Sequence, residues 1–276
     1  MSVYLEARFL PVPDAITVEL LTLELAEIGF ESFTEGEEGF SAFIQDDTFS
    51  EEHWRQALAK FPLIASPELI KHLPQNWNAV WESQFEPICI DDNCWIRAPF
   101  HEAMQDVPLQ LIIEPKMSFG TGHHETTRLM CRQMLKLDFA GKMVWDYGCG
   151  TGVLGILAAR LEAQYVAGND IESWAVENSR ENAQRNHVDF TVYEGGVEAM
   201  PDTGGYDIIL ANINRNVLIQ TADAYLHHLK PGGWLLISGF LAQDEASLIS
   251  FFVDKNLQLL NATNENGWSC LLFAKE

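Results

Sequence analysis

The chain has 276 residues, of which 47% are hydrophobic, so it can bury a sizeable core and is long enough for two domains. Seventeen Lys+Arg against forty Asp+Glu give a formal charge of −23, which disfavours a nucleic-acid partner and favours a basic protein. The five cysteines include no C-x-x-C pair, and we find neither a basic leader nor a run of about eighteen apolar residues. These features argue against a disulfide framework, a thiolate zinc site, a signal peptide and a membrane span, and we expect a cytoplasmic protein.

A small acidic α+β domain is predicted over residues 1–74. The predicted elements are a strand at 3–10, a helix between Asp14 and Gly29, strands at 31–35 and 40–45, a helix capped by Ser50 and a strand at 69–73. This order is typical of a ferredoxin-like unit. The segment has four Lys+Arg against fourteen Asp+Glu, a formal charge of −10, which suits a surface that recognises a basic substrate.

Residues 75–110 are predicted to connect this domain to the next. Trp77, Trp81 and Phe85 recur at helical spacing, which favours a packing role over a ligand-binding one. The next predicted elements are strands at 88–90 and 95–98, joined as a hairpin by a turn at 91–93.

Over residues 111–276 the pattern changes to alternating strands and helices. Strands are predicted at 143–147, 165–169, 190–193, 206–211 and 234–238, and helices at 128–137, 153–161, 173–186, 217–229 and 242–256. Such alternation is typical of a parallel sheet covered by helices on both faces, so the fold class is α/β. Two further strands, 257–262 and 268–274, end the chain.

A glycine-rich loop, residues 148–152, follows the strand at 143–147 and precedes a helix. Glycines at this point allow a nucleotide-like ligand to approach the backbone N–H groups at the start of the helix. The stretch 150–155 also matches the dinucleotide fingerprint, with Asp170 about twenty residues on, so NAD is an alternative. Asp146 favours S-adenosylmethionine, because its carboxylate would repel a pyrophosphate and can order the loop near a cationic ligand. Asp170 can accept hydrogen bonds from both ribose hydroxyls of either cofactor.

Asn212 ends the fourth strand of the predicted core sheet, in the segment 207–213. The carboxyl edge of a parallel sheet faces the ligand crevice, where the carbonyl of Asn212 can accept a hydrogen bond from an incoming amine. The alternative is that Asn212 only caps a loop. The pattern His123-His124-Glu125 suggests a metal cluster, but adjacent histidines without a third spaced ligand seldom bind one ion, so no metal is expected.

Several segments resemble the ribosomal protein L11 methyltransferase family (PrmA type). The similar segments are Ser118–Thr127 (SFGTGHHETT), Trp77–Glu82, Trp95–Arg97, Asp146–Gly152 and Ala211–Ile213. The resemblance covers essentially the whole chain. It implies a Rossmann-like class I methyltransferase domain with a mostly parallel seven-stranded sheet, whose last strand is antiparallel and inserted beside its neighbour.

The resemblance also implies that S-adenosylmethionine donates methyl groups to lysine and N-terminal amines of a basic ribosomal protein of the large subunit. The N-terminal domain would dock this substrate. The candidate cofactor contacts are Phe119, Thr127, Asp146, Gly148, Gly150, Asp170 and Asn212, and Asn212 is the candidate catalytic residue. Residues 195–197 contain no acidic residue to meet the adenine amino group, so backbone and apolar contacts would recognise adenine. A different protein or small-molecule substrate, and a non-catalytic cofactor-binding module, remain as alternatives.

Overall fold

A computed structural model of the chain describes residues 3–10, 14–36, 39–64, 66–72, 86–104, 107–116 and 119–276. The chain divides into two compact units, Met1–Gln84 and Phe85–Glu276. The predicted helical run of Trp77, Trp81 and Phe85 lies outside the described residues. The predicted boundaries at residues 74 and 110 fall on either side of the division and stay predictions.

The first unit is an antiparallel four-stranded sheet with two helices. Its elements are β1 (Tyr4–Phe9), α1 (Ala15–Glu27), β2 (Ser32–Gly36), β3 (Gly39–Gln45), α2 (Glu51–Leu58) and β4 (Glu68–His72), and the strand order is β2-β3-β1-β4. The side chains of Asp14 and Ser50 cap the helices as predicted, because they accept hydrogen bonds from Thr17 N at 3.1 Å and His53 N at 3.4 Å. This connectivity confirms the predicted ferredoxin-like unit.

Aromatic side chains fill the core of this unit. Phe9 and Phe40 lie on paired strands with ring centroids 5.6 Å apart, and Trp54 of α2 lies 6.2 Å from Phe9 and 5.5 Å from Phe30. The residues of α1 buried against this core are Val18, Leu21 and Leu25. One face of α1 therefore holds the helix to the sheet.

The second unit begins with a three-stranded sheet that the sequence predicted in part. Its strands are β5 (Ile88–Ile90), β6 (Cys94–Arg97) and β7 (Leu109–Ile112). The predicted hairpin is confirmed, and Asp91 and Asp92 take left-handed backbone angles in its turn. The prediction missed β7, which pairs parallel to β6 and buries Leu109 and Leu111.

A seven-stranded sheet forms the centre of the second unit. Its strands are β8 (Met143–Tyr147), β9 (Tyr165–Asp170), β10 (Thr191–Glu194), β11 (Tyr206–Asn212), β12 (Leu229–Leu241), β13 (Leu257–Glu265) and β14 (Trp268–Lys275). The strand order is β10-β9-β8-β11-β12-β14-β13, and β14 runs antiparallel to both of its neighbours. The predicted mostly parallel sheet with an inserted antiparallel last strand is confirmed.

Helices cover both faces of this sheet. They are α3 (Glu125–Met134), α4 (Val153–Arg160), α5 (Ser173–Arg185), α6 (Arg215–Gln220), α7 (Ala222–His227) and α8 (Glu245–Val253). Successive residues of β8 face opposite layers, with Val144 in the apolar cluster of α3–α5 and Trp145 in that of α6–α8.

Three predicted helices differ from the observed ones, and the helix predicted at 242–256 is shorter, spanning Glu245–Val253. The helix predicted at 217–229 is two short helices that meet at Thr221, whose hydroxyl donates to Val217 O at 2.7 Å and accepts from Tyr147 Oη at 3.1 Å. A threonine engaged in this way competes with the regular helical bonds. The helix predicted at 128–137 starts three residues earlier, because His124 Nδ1 caps it by accepting from Thr126 N at 3.3 Å.

Candidate functional site

A cavity of about 480 Å³ opens at the carboxyl ends of β8, β9 and β11. Its lining includes Phe119, His124, Thr126, Gly148, Gly150, Asp170, Trp174, Asn212 and Trp268. In open α/β sheets, ligands bind at this edge, where the strand order reverses between two neighbouring strands. The volume falls within the range of cofactor pockets, which is about 300–1,000 Å³.

The glycine-rich loop turns at three residues that have no Cβ. Gly148, Gly150 and Gly152 have φ angles of 70°, 55° and 80°, which residues with a Cβ rarely adopt. A Cβ on Gly150 would lie 2.3 Å from Phe119 O, so the loop and the segment at Phe119 approach as closely as glycine allows. Thr151 N donates to the same Phe119 oxygen at 2.9 Å. The two segments therefore hold each other in position.

Asp146 is buried at the end of β8 and supports the loop from within the protein. Its Oδ2 accepts a hydrogen bond from Gly155 N, in the first turn of α4, at 2.9 Å. Burial raises the pKa of the Asp146 carboxyl to about 7; the bond from Gly155 opposes this rise and the charge of Asp170 adds to it. This carboxyl thus fixes the start of the helix and does not itself line the cavity.

Asp170 ends β9 with its carboxylate at the cavity. Its Oδ2 accepts from Gly150 N at 3.0 Å and its Oδ1 accepts from Glu172 N at 3.1 Å. Each carboxylate oxygen has lone pairs for further donors, such as the hydroxyls of a sugar. Backbone groups thus hold Asp170 in a fixed orientation before any ligand binds.

Asn212 ends β11 and lines the same cavity. Its Nδ2 lies 3.4 Å from Thr127 Oγ1, which orients the amide, while its Oδ1 is buried and accepts no hydrogen bond from the described residues. A buried carbonyl without a donor is costly, so this atom is suited to receive an N–H from a ligand. Thr127 is fully buried behind Asn212, and Thr126 lines the cavity instead.

Three rings form one wall of the cavity, which we call the ring wall: Phe119, His124 and Trp268. The His124 ring lies 5.1 Å from that of Phe119 and 4.6 Å from that of Trp268, in tilted and edge-on arrangements. Because His124 Nδ1 also caps α3, the first turn of that helix determines the position of the ring.

An ion-pair network fastens the ring wall to the rest of the unit. Glu265, at the end of β13, accepts from Arg128 Nε at 2.8 Å and also from Arg132. Arg128 donates in addition to His123 O, and Asn266 donates to Glu125 Oε1 at 3.2 Å. The turn before Trp268 and the helix after His124 are therefore tied together.

Comparison with known proteins assigns the family. The model of the family described as "Ribosomal protein L11 methyltransferase (PrmA)" matches residues 24–276. The chain belongs to this family. It is 42% identical to the "Ribosomal protein L11 methyltransferase" of Porphyromonas gingivalis over 275 residues, covering 96% of this chain and 94% of that protein. It is 38% identical to the protein of the same description in Phocaeicola vulgatus, covering 98% of each.

A solved structure is similar in fold. The crystal structure of a ribosomal protein L11 methylase from Lactobacillus delbrueckii subsp. bulgaricus has a TM-score of 0.64 at 23% identity, covering 70% of this chain and 100% of that chain. At this identity the likeness supports the methyltransferase fold. Within the described residues, no helix is long and apolar enough to cross a membrane.

The methyltransferase structure brings most of the sequence-predicted site residues together. Five of them line one cavity: Phe119, Gly148, Gly150, Asp170 and Asn212. Asp146 and Thr127 do not line it: Asp146 accepts a hydrogen bond from Gly155 N at the start of α4, and Thr127 is hydrogen-bonded to Asn212.

Sequence reasoning missed Trp174 and Trp268. Trp174 is 48% exposed although it lines the cavity, and its position four residues after Asp170 was a usable signal. Trp268 carried no such signal, because it lies more than fifty residues beyond Asn212. The histidines predicted not to bind a metal have other partners: His123 Nε2 lies 3.0 Å from Glu86 O, and His124 caps α3. Among the described residues, no metal-binding cluster was found.

Proposed function

We propose that this methyltransferase transfers methyl groups from S-adenosylmethionine to amino groups of ribosomal protein L11, at lysine side chains and the N-terminal amine, in the cytoplasm. One observation carries the proposal: the Asp170 carboxylate, the glycine-rich loop and the Asn212 side chain, whose carbonyl accepts no hydrogen bond from the described residues, lie at one cavity. Two relatives described as ribosomal protein L11 methyltransferases, 38% and 42% identical over nearly their whole length, support the choice of substrate.

The residues around the cavity fit S-adenosylmethionine. Asp170 would accept from the ribose hydroxyls, and the loop 148–152 would face the amino-acid portion of the donor. Phe119 is 53% exposed and Trp174 48% exposed at the same cavity, so apolar ring surface is available to cover the adenine. When bound, the donor supplies an electrophilic methyl group on a sulfonium, which a neutral amine displaces in line.

Asn212 would orient the acceptor. Its Oδ1 accepts an N–H from the incoming amine, which directs the nitrogen lone pair into the cavity. A lysine side chain has a reference pKa of about 10.4, so the amine must first lose a proton. The apolar ring wall removes water from the charged form of the amine and thereby favours the neutral form. No dedicated base is assigned, and water accepts the proton at the mouth of the cavity.

The predicted domains would have different roles. Residues 1–74 would recognise the basic substrate, and residues 111–276 would bind the donor and carry out the transfer. Residues 75–110 would connect these two domains. The formal charge of −10 in residues 1–74 supports this division, because it attracts a cationic protein over distances of about 10 Å at ordinary salt.

Incubation of the full chain with labelled S-adenosylmethionine and separated ribosomal proteins of the large subunit tests the proposal. We expect label in L11, at positions that mass spectrometry then identifies as lysine and N-terminal amines. Label in another protein or only in a small molecule would replace the substrate and keep the enzyme class. Donor binding by calorimetry without any transfer would identify a non-catalytic module instead.

A further inference from the structure

Ile213 is the single residue between the two asparagines that end β11 and cap α6. Asn212 is the last residue of the strand, and Asn214 caps the helix by accepting a hydrogen bond from Val217 N at 3.1 Å. Asn212, Ile213 and Asn214 all line the cavity. The position of Ile213 therefore determines where the Asn212 amide lies, and the Oδ1 of that amide accepts no hydrogen bond from the described residues.

Two glycines approach Ile213 so closely that neither has room for a side chain. A Cβ on Gly239 would lie 2.3 Å from Ile213 O and 2.7 Å from Ile213 C, so this contact is with the backbone. A Cβ on Gly148 would lie 2.4 Å from Ile213 Cγ2, so this contact is with the methyl group that branches from Cβ. Non-bonded carbon atoms pack at about 3.5–4.0 Å, so Ile213 fills the space that each glycine leaves.

The contact with Gly148 joins the two sides of the cavity. Gly148 begins the glycine-rich loop, which would face the donor, and Ile213 follows Asn212, which would orient the amine. Gly148 is itself fixed, because its N–H donates to Asn169 O at 2.9 Å. Ile213 Cγ2 therefore lies as a spacer between the loop and the strand end that carries Asn212.

We propose that Ile213 is a positioning residue that sets the distance between the donor methyl group and the acceptor amine. The identity of these two ligands rests on the proposed function. In-line displacement needs reacting atoms about 3–3.5 Å apart, and a misplacement of about 1 Å can lower the rate about 100-fold. The branched methyl Cγ2 has this role because it is the atom that meets Gly148.

Two substitutions separate the position of Cγ2 from the apolar character of the side chain. Ile213→Val keeps both carbons bonded to Cβ, whereas Ile213→Leu keeps every carbon but moves the branch one atom further out. With purified L11 and S-adenosylmethionine, we expect kcat of the Val variant within about three-fold of wild type and kcat of the Leu variant at least about ten-fold lower. The KM for L11 and the calorimetric Kd for the donor should change less than about three-fold in both variants.

A purely structural role of Ile213 predicts the opposite order. Leucine conserves the volume of isoleucine, whereas valine leaves out a methylene, so Ile213→Leu would then be the milder change. Thermal unfolding of both variants shows whether the fold is retained. A Val variant that is as slow as the Leu variant, or slower, would overturn the proposal.

Gly239→Ala tests the backbone contact against a control on the same strand. Gly239 and Gly232 both belong to β12 and have φ angles of 92° and 73°, but a Cβ on Gly232 would meet nothing within 4 Å. Both alanine variants therefore carry the backbone cost, and only Gly239→Ala displaces Ile213. We expect kcat at least about ten-fold lower for Gly239→Ala than for Gly232→Ala. Equal kcat values would overturn the contact with Gly239 as part of the spacer.

The spacer can also be tested without turnover. If wild type does not methylate L11, the proposed function fails, and crystal structures of wild type and the Ile213→Leu variant still give the separation between Gly148 Cα and Asn212 Oδ1. A changed separation in the variant supports the spacer, and an unchanged separation overturns it.

Discussion

Replacing Gly150 with alanine should destabilise the folded chain in two ways, through backbone strain and through steric overlap. The residue has a φ of 55°, and left-handed backbone costs about 1–2 kcal/mol for an alanine. The new Cβ would also lie 2.3 Å from Phe119 O, so the two segments would have to part by about 1 Å to reach ordinary van der Waals separation. Steric overlap of this kind adds about 1–3 kcal/mol.

Gly141 provides the matched control. Its φ is 71°, and a Cβ there would meet nothing within 4 Å. Gly141→Ala should therefore show only the backbone cost of about 1–2 kcal/mol, which corresponds to a lower Tm by a few degrees in a unit of this size. Its affinity for S-adenosylmethionine should equal that of wild type, because the cavity lining is unchanged.

Thermal unfolding and calorimetric titration with S-adenosylmethionine measure both effects. We expect Gly150→Ala to lower the Tm more than Gly141→Ala and to weaken donor binding at least about ten-fold, which equals about 1.4 kcal/mol. Equal donor affinity of the two variants would refute the reasoning, since the contact between the loop and Phe119 would then have no part in forming the cavity.

Three further variants test single side chains. Asn212→Ala should lower kcat about 100-fold while the donor Kd changes less than about three-fold; unchanged turnover would remove its assigned role. Burial raises the pKa of Asp146 to about 7, so the folded state favours the protonated carboxyl, and this contribution to stability is lost as the pH rises from about 4 through 7. Asp146→Asn should flatten that decline in urea unfolding between pH 5 and 8, and parallel curves would contradict it. Glu265→Gln should destabilise the chain by about 1–3 kcal/mol and lower kcat/KM for the protein substrate more than donor affinity; the surface variant Asp223→Asn is its control.

The parts of the site that the sequence predicted have local causes. Gly148 directly follows an apolar strand, Asp170 and Asn212 are the last residues of two others, and parallel strands place their carboxyl ends at one edge. The fold followed for the same reason, because the alternation of strands and helices restricts the possible topologies. The antiparallel position of β14 came from the family resemblance, since two adjacent strands alone do not specify the order of a sheet.

One predicted helix start was wrong. The sequence pattern placed the start of α3 at residue 128, and the cap at His124 moves it to Glu125. Both threonines of its first turn are fully buried; Thr126 borders the cavity, and the hydroxyl of Thr127 lies 3.4 Å from Asn212 Nδ2. The resemblance selected Thr127, and the geometry gives that residue a role in orienting Asn212.

The ring wall could not have been predicted, because its geometry depends on contacts between distant parts of the chain. Arg128 and Glu265 are 137 residues apart in sequence, and each is an ordinary surface type in its local pattern. Only the folded unit places the turn before Trp268 against the helix that His124 begins. In the proposed function, the residues that would contact the donor lie at strand ends and in the glycine-rich loop. The ring wall, which would receive the amine, depends on ion pairs between distant segments, so substitutions in those ion pairs should alter substrate use although they lie outside the cavity.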